Sequence, residues 1–244
     1  MNNIKIQGHT IERQVKMYKY ETHLHTAETS ACASATGAEQ ARRYKAEGYD
    51  GIFITDHFFN SNTTVPRELS WDEKVMLYCK GYENAKAEGD RIGLKVFFGI
   101  EYTYQGADIL VYGLDKQWLL AHRDCDRDFY QFYYDAKAEG ALLIHAHPFR
   151  EADYLREIKL LPKWVDGVEV YNSGNGKEVY NERAEWYAKQ FGFRTTAGSD
   201  NHHLSVRSER LAGILSETEF ERPEDYAKAF FADKVKPLYP AERL

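Results

Sequence analysis

The chain has 244 residues, 43% of them apolar, and carries 32 Lys and Arg against 38 Asp and Glu, a formal charge of −6. That length suits one domain spanning residues 1–244, of the size of a single α/β barrel, with ample apolar material for a core. The acidic balance argues against a protein that holds nucleic acid mainly by phosphate contacts.

Three cysteines, Cys32, Cys79 and Cys125, show no Cys-x-x-Cys spacing. They argue against a disulfide scaffold or a cysteine-ligated zinc and point to the reducing cytoplasm. Met1 to Gly8 lacks the apolar core of a signal peptide. No apolar run approaches membrane-spanning length, so no membrane partner is expected.

In chain order, Met17 to Glu21 reads as a strand that runs into Thr22-His23-Leu24-His25-Thr26. Side chains at i and i+2 of a strand share a face, so His23 and His25 project together, as two ligands of one metal must. A small polar loop over 27–36 holds Glu28, Ser30 and Cys32, and Gly37 to Gly48 is a helix. Asp50 to Thr55 is a short apolar strand ending on Asp56-His57. Ser70 to Glu88 reads as one long helix, capped by Ser70 or Asp72 and closed by Gly89. The strand Lys95 to Ile100 ends on Glu101. A turn at Gln105-Gly106 leads to a strand over 109–113, with Asp108 at its start.

Helical stretches follow around Trp118 and from Asp126 to Glu139. The strand 141–144 leads into His145-Ala146-His147-Pro148. Val165 to Tyr171 is a strand ending at Asn172, Gly176 to Gln190 a helix, and Arg194 to Gly198 a strand carrying Ser199-Asp200-Asn201-His202. A strand near Ile214 and a helix opened by Pro223 close the order. Strands alternating with helices indicate a parallel sheet with crossover helices. Sites in such folds form at the carboxyl ends of strands, where every candidate ligand except Asp108 falls.

His23-x-His25, Thr55-Asp56-His57, Gly99-Ile100-Glu101, the His147-Pro148 step and Asp200-x-His202 occur in the order that resembles the PHP family, named for its occurrence in DNA polymerases and a histidinol phosphatase. The resemblance covers roughly residues 17–215. It implies an α/β fold, a distorted (β/α)7 TIM-like barrel, with two or three divalent metal ions (Zn, Mn or Fe) and phosphoester hydrolysis. It also implies that His23, His25, Glu101 and Asp200 hold a first metal, that Glu101 bridges to a second that takes His147, and that His57 and His202 hold a third. Two positions depart from the commoner pattern. Asp108 stands where many members have a histidine after the bridging glutamate. Glu28, with Ser30 next best, stands where Asp or His follows the first motif. Both are oxygen ligands, which tilts the sites toward manganese or iron.

Imidazole and carboxylate ligands suit zinc, manganese or iron. A water between two such ions has a lowered pKa and serves as nucleophile near neutral pH. Asp200 is the candidate to orient that water or take its proton. Arg150 has the planar fork that fits a phosphate, although a plain surface arginine is an equal reading. His145 reads as a backing residue or a substrate contact, Asp56 as a supporting carboxylate, and Asn172 as a weak pocket candidate. Cys32 reads as a small buried thiol, and His9, His122 and His203 as surface residues.

The expected reaction is hydrolysis of a small phosphate monoester by metal-activated hydroxide. One alternative is a nuclease or phosphodiesterase on nucleic acid ends, for which the expected clustered Lys/Arg surface is missing. The other is a non-catalytic metal-binding module.

Overall fold

The computed structural model describes residues 16–153 and 155–240. Met1 to Gly8 and His9 lie outside these residues. The elements in chain order are β1 (Tyr18–Glu21), α1 (Gly37–Ala46), β2 (Gly51–Ile54), α2 (Trp71–Tyr78), α3 (Lys80–Ile92), β3 (Lys95–Tyr104), β4 (Ala107–Tyr112) and α4 (Lys116–Ala121). They continue with α5 (Phe129–Ala138), β5 (Leu142–Ala146), β6 (Gly167–Asn172), α6 (Glu178–Phe191), β7 (Arg194–Gly198), β8 (Gly213–Ser216), α7 (Glu224–Phe231) and β9 (Val235–Leu238).

The connection Gln105-Gly106 decides the topology. Two residues cannot carry the chain across a sheet face to start a parallel strand, so β3 and β4 must pair antiparallel. Both turn residues have positive φ, 51° and 85°, the left-handed backbone that matches the twist of a tight hairpin. β4 is also antiparallel to β5, and β8 is antiparallel to β1 and β9. The remaining pairs, β1–β2–β3 and β5–β6–β7, are parallel. The nine-stranded order is β7-β6-β5-β4-β3-β2-β1-β8-β9, and β7 comes back beside β8 and β9, so the sheet nearly closes. The distorted barrel expected from the resemblance is what forms, while the expectation of a wholly parallel sheet is corrected: β4 and β8 run against their neighbours.

Two local expectations also change. The helix read over 70–88 is two helices that meet at Cys79. Ser70 opens the first with a capping box to Glu73. Gly89 does not close the second. It lies inside α3, where a Cβ would stand 2.5 Å from Val96 Cγ2, and the left-handed cap is Gly93. β9 is unread in the sequence because Pro237 interrupts it, and an edge strand tolerates that proline.

Strand alternation sorts the side chains into two layers. Phe53, Phe97, Leu110, Tyr112, Leu142 and Ile144 form the barrel interior, which Phe220, Tyr226 and Phe230 join from the α7 region. The intervening Phe98, Ile100, Ile109 and Val111 pack outward with residues of α2, α4 and α5, and Ile52, Ile54 and Val96 with residues of α1 and α3. Glu101 continues the inward face of Phe97, and Asp108 that of Leu110 and Tyr112. Carboxylates therefore arrive at the open mouth of an aromatic barrel. Among the described residues no helix is long and apolar enough to cross a membrane.

Phe53 is at the centre of the interior, its ring 4.8 Å from Phe97, 5.2 Å from Tyr112 and 5.3 Å from Tyr226. Phe53→Ala should cost about 3–5 kcal/mol of unfolding free energy. Urea titration should show a lowered midpoint at unchanged slope.

Candidate metal centre

Past the end of β1 the backbone stays extended. Thr55 N–H donates to Leu24 O at 2.9 Å and His25 N–H to Asn201 O at 3.1 Å. Leu24 enters the outer core, which leaves His23 and His25 facing inward, both fully buried. His57, just past β2, forms a parallel bridge with Glu101 on β3. Asp108 no longer stands apart, because the reversal of β4 brings its first residues to the mouth where the parallel strands end.

Glu101 is the hub. Its Oε1 lies 3.1 Å from His23 Nε2 and 3.3 Å from His147 Nε2, and its Oε2 lies 2.5 Å from His57 Nδ1 and 3.6 Å from His25 Nε2. Asp200 Oδ1 is 3.2 Å from His25 Nε2 and 3.4 Å from His23 Nε2. Asp108 Oδ2 is 3.9 Å from His147 Nε2. His202 stacks on His25 with ring centroids 4.0 Å apart. Four overlapping donor groups result: His23–His25–Glu101, His23–His147–Asp200, Glu101–Asp108–His147 and His25–His57–His202.

The donors fit divalent cations on two grounds. His23 Nε2, His25 Nε2, His57 Nδ1 and Glu101 Oε2 are buried and face one another and Asp200 at ion-pair distance without hydrogen-bond geometry, an arrangement costly to leave uncompensated. All four point into one place, and imidazole with carboxylate is the chemistry of zinc-, manganese- or iron-type ions. Burial raises Glu101, but His57 and His23 outweigh it and hold the carboxyl well below the usual range. Burial likewise raises Asp200, and His23 and Arg150 pull it well below. His25 is held well below the ordinary histidine value by burial, with His202 and His57 adding to it. Burial lowers His23 and His57, but Asp200 and Glu169 raise the first and Glu101 the second, so these two must release a proton to bind a cation, whereas the anionic carboxylates and the neutral His25 are already in the binding form.

Behind the donors stand carboxylates that fix them. Sequence reasoning misses Glu169. Its Oε1 lies 3.0 Å from His23 Nδ1, and its Oε2 accepts from His147 N–H at 3.0 Å and Asn172 Nδ2 at 2.8 Å. The signal was an acid in the middle of the apolar strand Val168-Glu169-Val170, a place that burial forbids unless partners wait there. Asp56 acts through Ser30: Ser30 Oγ is 2.7 Å from Asp56 Oδ1 and 3.0 Å from His25 Nδ1. Glu21 Oε1 accepts from the backbone N–H groups of Thr22, His23 and Ser199, each at 2.9 Å. Gly198 permits the close approach of β7, since a Cβ there would lie 2.5 Å from both His23 Cβ and Glu169 Oε1.

Other expectations are corrected. Glu28 does not reach the donors. Its carboxylate accepts from Gly37 N–H at 2.9 Å and from Asn84 Nδ2 at 2.9 Å, because the free N–H groups at the start of α1 attract an anion. Ser30 is the His25 support just described. His145 does not share the face of His147. Alternation turns His145 outward against Tyr187, and burial takes it down to about 3. His147 regains the inside only by a left-handed backbone, φ 27°; Asp200 has the same feature at φ 52°. Such backbone is strained outside glycine and persists where the surroundings enforce it.

Arg150 is in the cleft, but its fork is already engaged. Nη2 lies 2.6 Å from Asp200 Oδ2 and 2.8 Å from Asn172 Oδ1, and Nε 2.9 Å from Asn175 Oδ1. Cys32 is exposed rather than buried, with Sγ 3.3 Å from His57 Nε2. Burial pushes its thiol up, but hydrogen bonds with His202 and His57 bring it to about 6. A cleft of about 560 Å³, lined by Asn62, Thr103, Asp108, Arg150, Leu155 and His202 among others, opens over the donors.

Glu169→Gln keeps the shape and loses the charge behind His23. Supporting partners of this kind are worth about 10–100-fold in metal affinity. Competition with a chromophoric chelator should show that loss for the tightest ion, with the circular dichroism spectrum unchanged.

No sequence-family profile matches the chain, and no curated protein matches it in sequence. Solved structures do. A two-domain protein of Bacteroides vulgatus, described as containing a predicted PHP-like metal-dependent phosphoesterase, is 15% identical with a TM-score of 0.67, over 98% of this chain and 69% of that one. PsfC of Pseudomonas syringae is 16% identical with a TM-score of 0.60, over 93% of both chains. Endonuclease Q, solved with a 27-mer duplex bearing an abasic lesion at its active site, is 14% identical with a TM-score of 0.57, over 89% of this chain and 57% of its own. At these identities the likeness is one of fold: the chain has the α/β fold of the PHP-like proteins.

Proposed function

We propose that the protein is a metal-dependent phosphoesterase that hydrolyses a small phosphate monoester with two or three divalent ions. The observation that carries this reading is the convergence of unbonded buried nitrogens and carboxylate oxygens on the floor of a cleft that also presents Arg150. The description of the Bacteroides vulgatus protein as containing a predicted PHP-like metal-dependent phosphoesterase supports it.

In this reading His23, His25, Glu101 and Asp200 hold one ion, Glu101, Asp108 and His147 a second, and His57 with His202 a third. Ions held there supply a nucleophile at neutral pH and neutralise charge on phosphoryl oxygens. Glu101, placed between His23, His147 and His57, keeps the donor groups in register. Asp200 offers Oδ1 to the histidines while Arg150 holds Oδ2, so the carboxylate is kept anionic and fixed in orientation, placed to orient a water or take its proton. Arg150 supplies positive charge beside an anionic substrate and at the same time positions Asp200.

The likeness to Endonuclease Q favours a second reading, a nucleic-acid ester as substrate. The acidic chain weighs against it.

Asp200→Asn should lower kcat at least about a hundredfold, the lower end of what a general base contributes. Because Arg150 also aligns Asp200, Arg150→Ala should lower kcat as well as raise KM. The assay offers metal-loaded protein phosphomonoesters, phosphodiesters and single-stranded DNA, each with and without chelator. Hydrolysis of phosphomonoesters that chelator abolishes is the expected result. Activity that survives both chelator and Asp200→Asn sinks the reading, and chelator-sensitive cleavage of DNA alone transfers it to the nuclease.

A further inference from the structure

The proposed function leaves His57 and His202 short of a third protein donor at the outer ion. The loop over 27–36 lies against them, and its polar side chains can be accounted for one by one. Glu28 is bonded to Gly37 and Asn84, Thr29 to the Tyr78 carbonyl, Ser30 to Asp56 and His25, Ser34 to His203, and Thr36 to Glu39 at the start of α1. Of this loop only Cys32 is turned to the two rings, with Sγ 3.3 Å from His57 Nε2, and it lines the same cleft as His57 and His202. His202 Nδ1 is occupied by the Asp200 carbonyl at 2.9 Å, which leaves its Nε2 for this side. The outer place adjoins the donor of His25, which is assigned above to the first ion. The His25 ring is fully buried, its Nε2 makes no hydrogen bond, and its donor atom lies within 4.8 Å of those of His57 and His202.

We propose that Cys32 is the protein's third ligand to the outer ion, a thiolate beside His57 and His202 in the place where the PHP resemblance leads one to expect an oxygen or imidazole donor. This rests on the metal-centre reading above. Binding forms a sulfur–metal bond and releases the thiol proton to solvent, with no change of oxidation state. The donor set becomes two nitrogens and one sulfur. Thiolate prefers thiophilic ions such as zinc and disfavours manganese. The outer ion therefore differs in kind from what two oxygen substitutions would select, and the expectation against a cysteine-ligated zinc is reversed at this position.

The test is a cobalt(II) titration of the full chain after chelator stripping, followed by absorption, with metal content measured in parallel. Ligand-field bands report cobalt on any donors, and a near-ultraviolet sulfur-to-cobalt charge-transfer band reports thiolate alone. The wild type should show both. Cys32→Ser and Cys32→Ala should each lose the charge-transfer band and about one equivalent of metal while keeping the ligand-field bands of the inner ions. Cys79→Ser and Cys125→Ser should keep everything, and thermal melts should confirm that each variant folds. Ligand-field bands without charge transfer in the wild type overturn the role of Cys32 and leave the inner centre standing, as does a charge-transfer band that persists in Cys32→Ser. No cobalt uptake of any kind overturns the metal centre and the Cys32 assignment together.

Discussion

Glu101 carries a carboxylate with 1% of its surface exposed. Such a group remains charged only if positive or donor groups surround it closely, since burial alone drives a carboxylate neutral. Here His23, His147, His57 and His25 all stand within 3.6 Å of its oxygens. Each comes from a different part of the chain, apart from the His23–His25 pair, so the barrel must close in register before Glu101 can be satisfied. The fold and the candidate centre are in this sense one construction. An aromatic interior fixes the lower barrel, and a polar cluster that makes sense only with cations completes the mouth.

The rigidity of that cluster comes from behind it. Asp56, Glu21 and Glu169 are each at most 2% exposed. Glu21 and Asp56 take backbone N–H groups and hydroxyls, and Glu169 takes ring nitrogen, backbone and amide donors. Glu169 sets the tautomer of His23 and Asp56, through Ser30, that of His25, which raises the basicity of the nitrogens that face inward, while Glu21 pins the backbone that carries them. The left-handed backbone at His147 and Asp200 belongs to the same economy. The Glu169 carboxylate holds the His147 N–H, and the Arg150 guanidinium holds the Asp200 side chain, so the strained residues have little freedom to relax.

Much of this was legible in the sequence, for identifiable reasons. His23-x-His25 is readable because strand periodicity and metal geometry demand the same spacing. His57, Glu101, Asp200 and His202 are readable because they close apolar strands at the end where α/β sites form. Asp108 looked misplaced only while β4 was assumed parallel; the two-residue turn 105–106 contained the answer. Glu28 misled because proximity in sequence does not show that the amides at the start of α1 compete for its charge. His145 misled because a positive φ at His147 breaks the alternation, and no residue type announces such a φ outside glycine. Glu169 could have been found, since an acid between two buried valines needs a reason. Cys32 could not, because its importance depends on where the 27–36 loop folds back.

The central claim is that the convergence around Glu101 exists to hold metal. Anomalous X-ray diffraction from crystals of metal-loaded protein tests it most directly. The account predicts at least two strong anomalous peaks inside the cleft, within about 2.0–2.2 Å of nitrogens and oxygens of His23, His25, Glu101, His147 and Asp200. A crystal grown in saturating metal that shows no peak there, or peaks only on surface side chains, would contradict it.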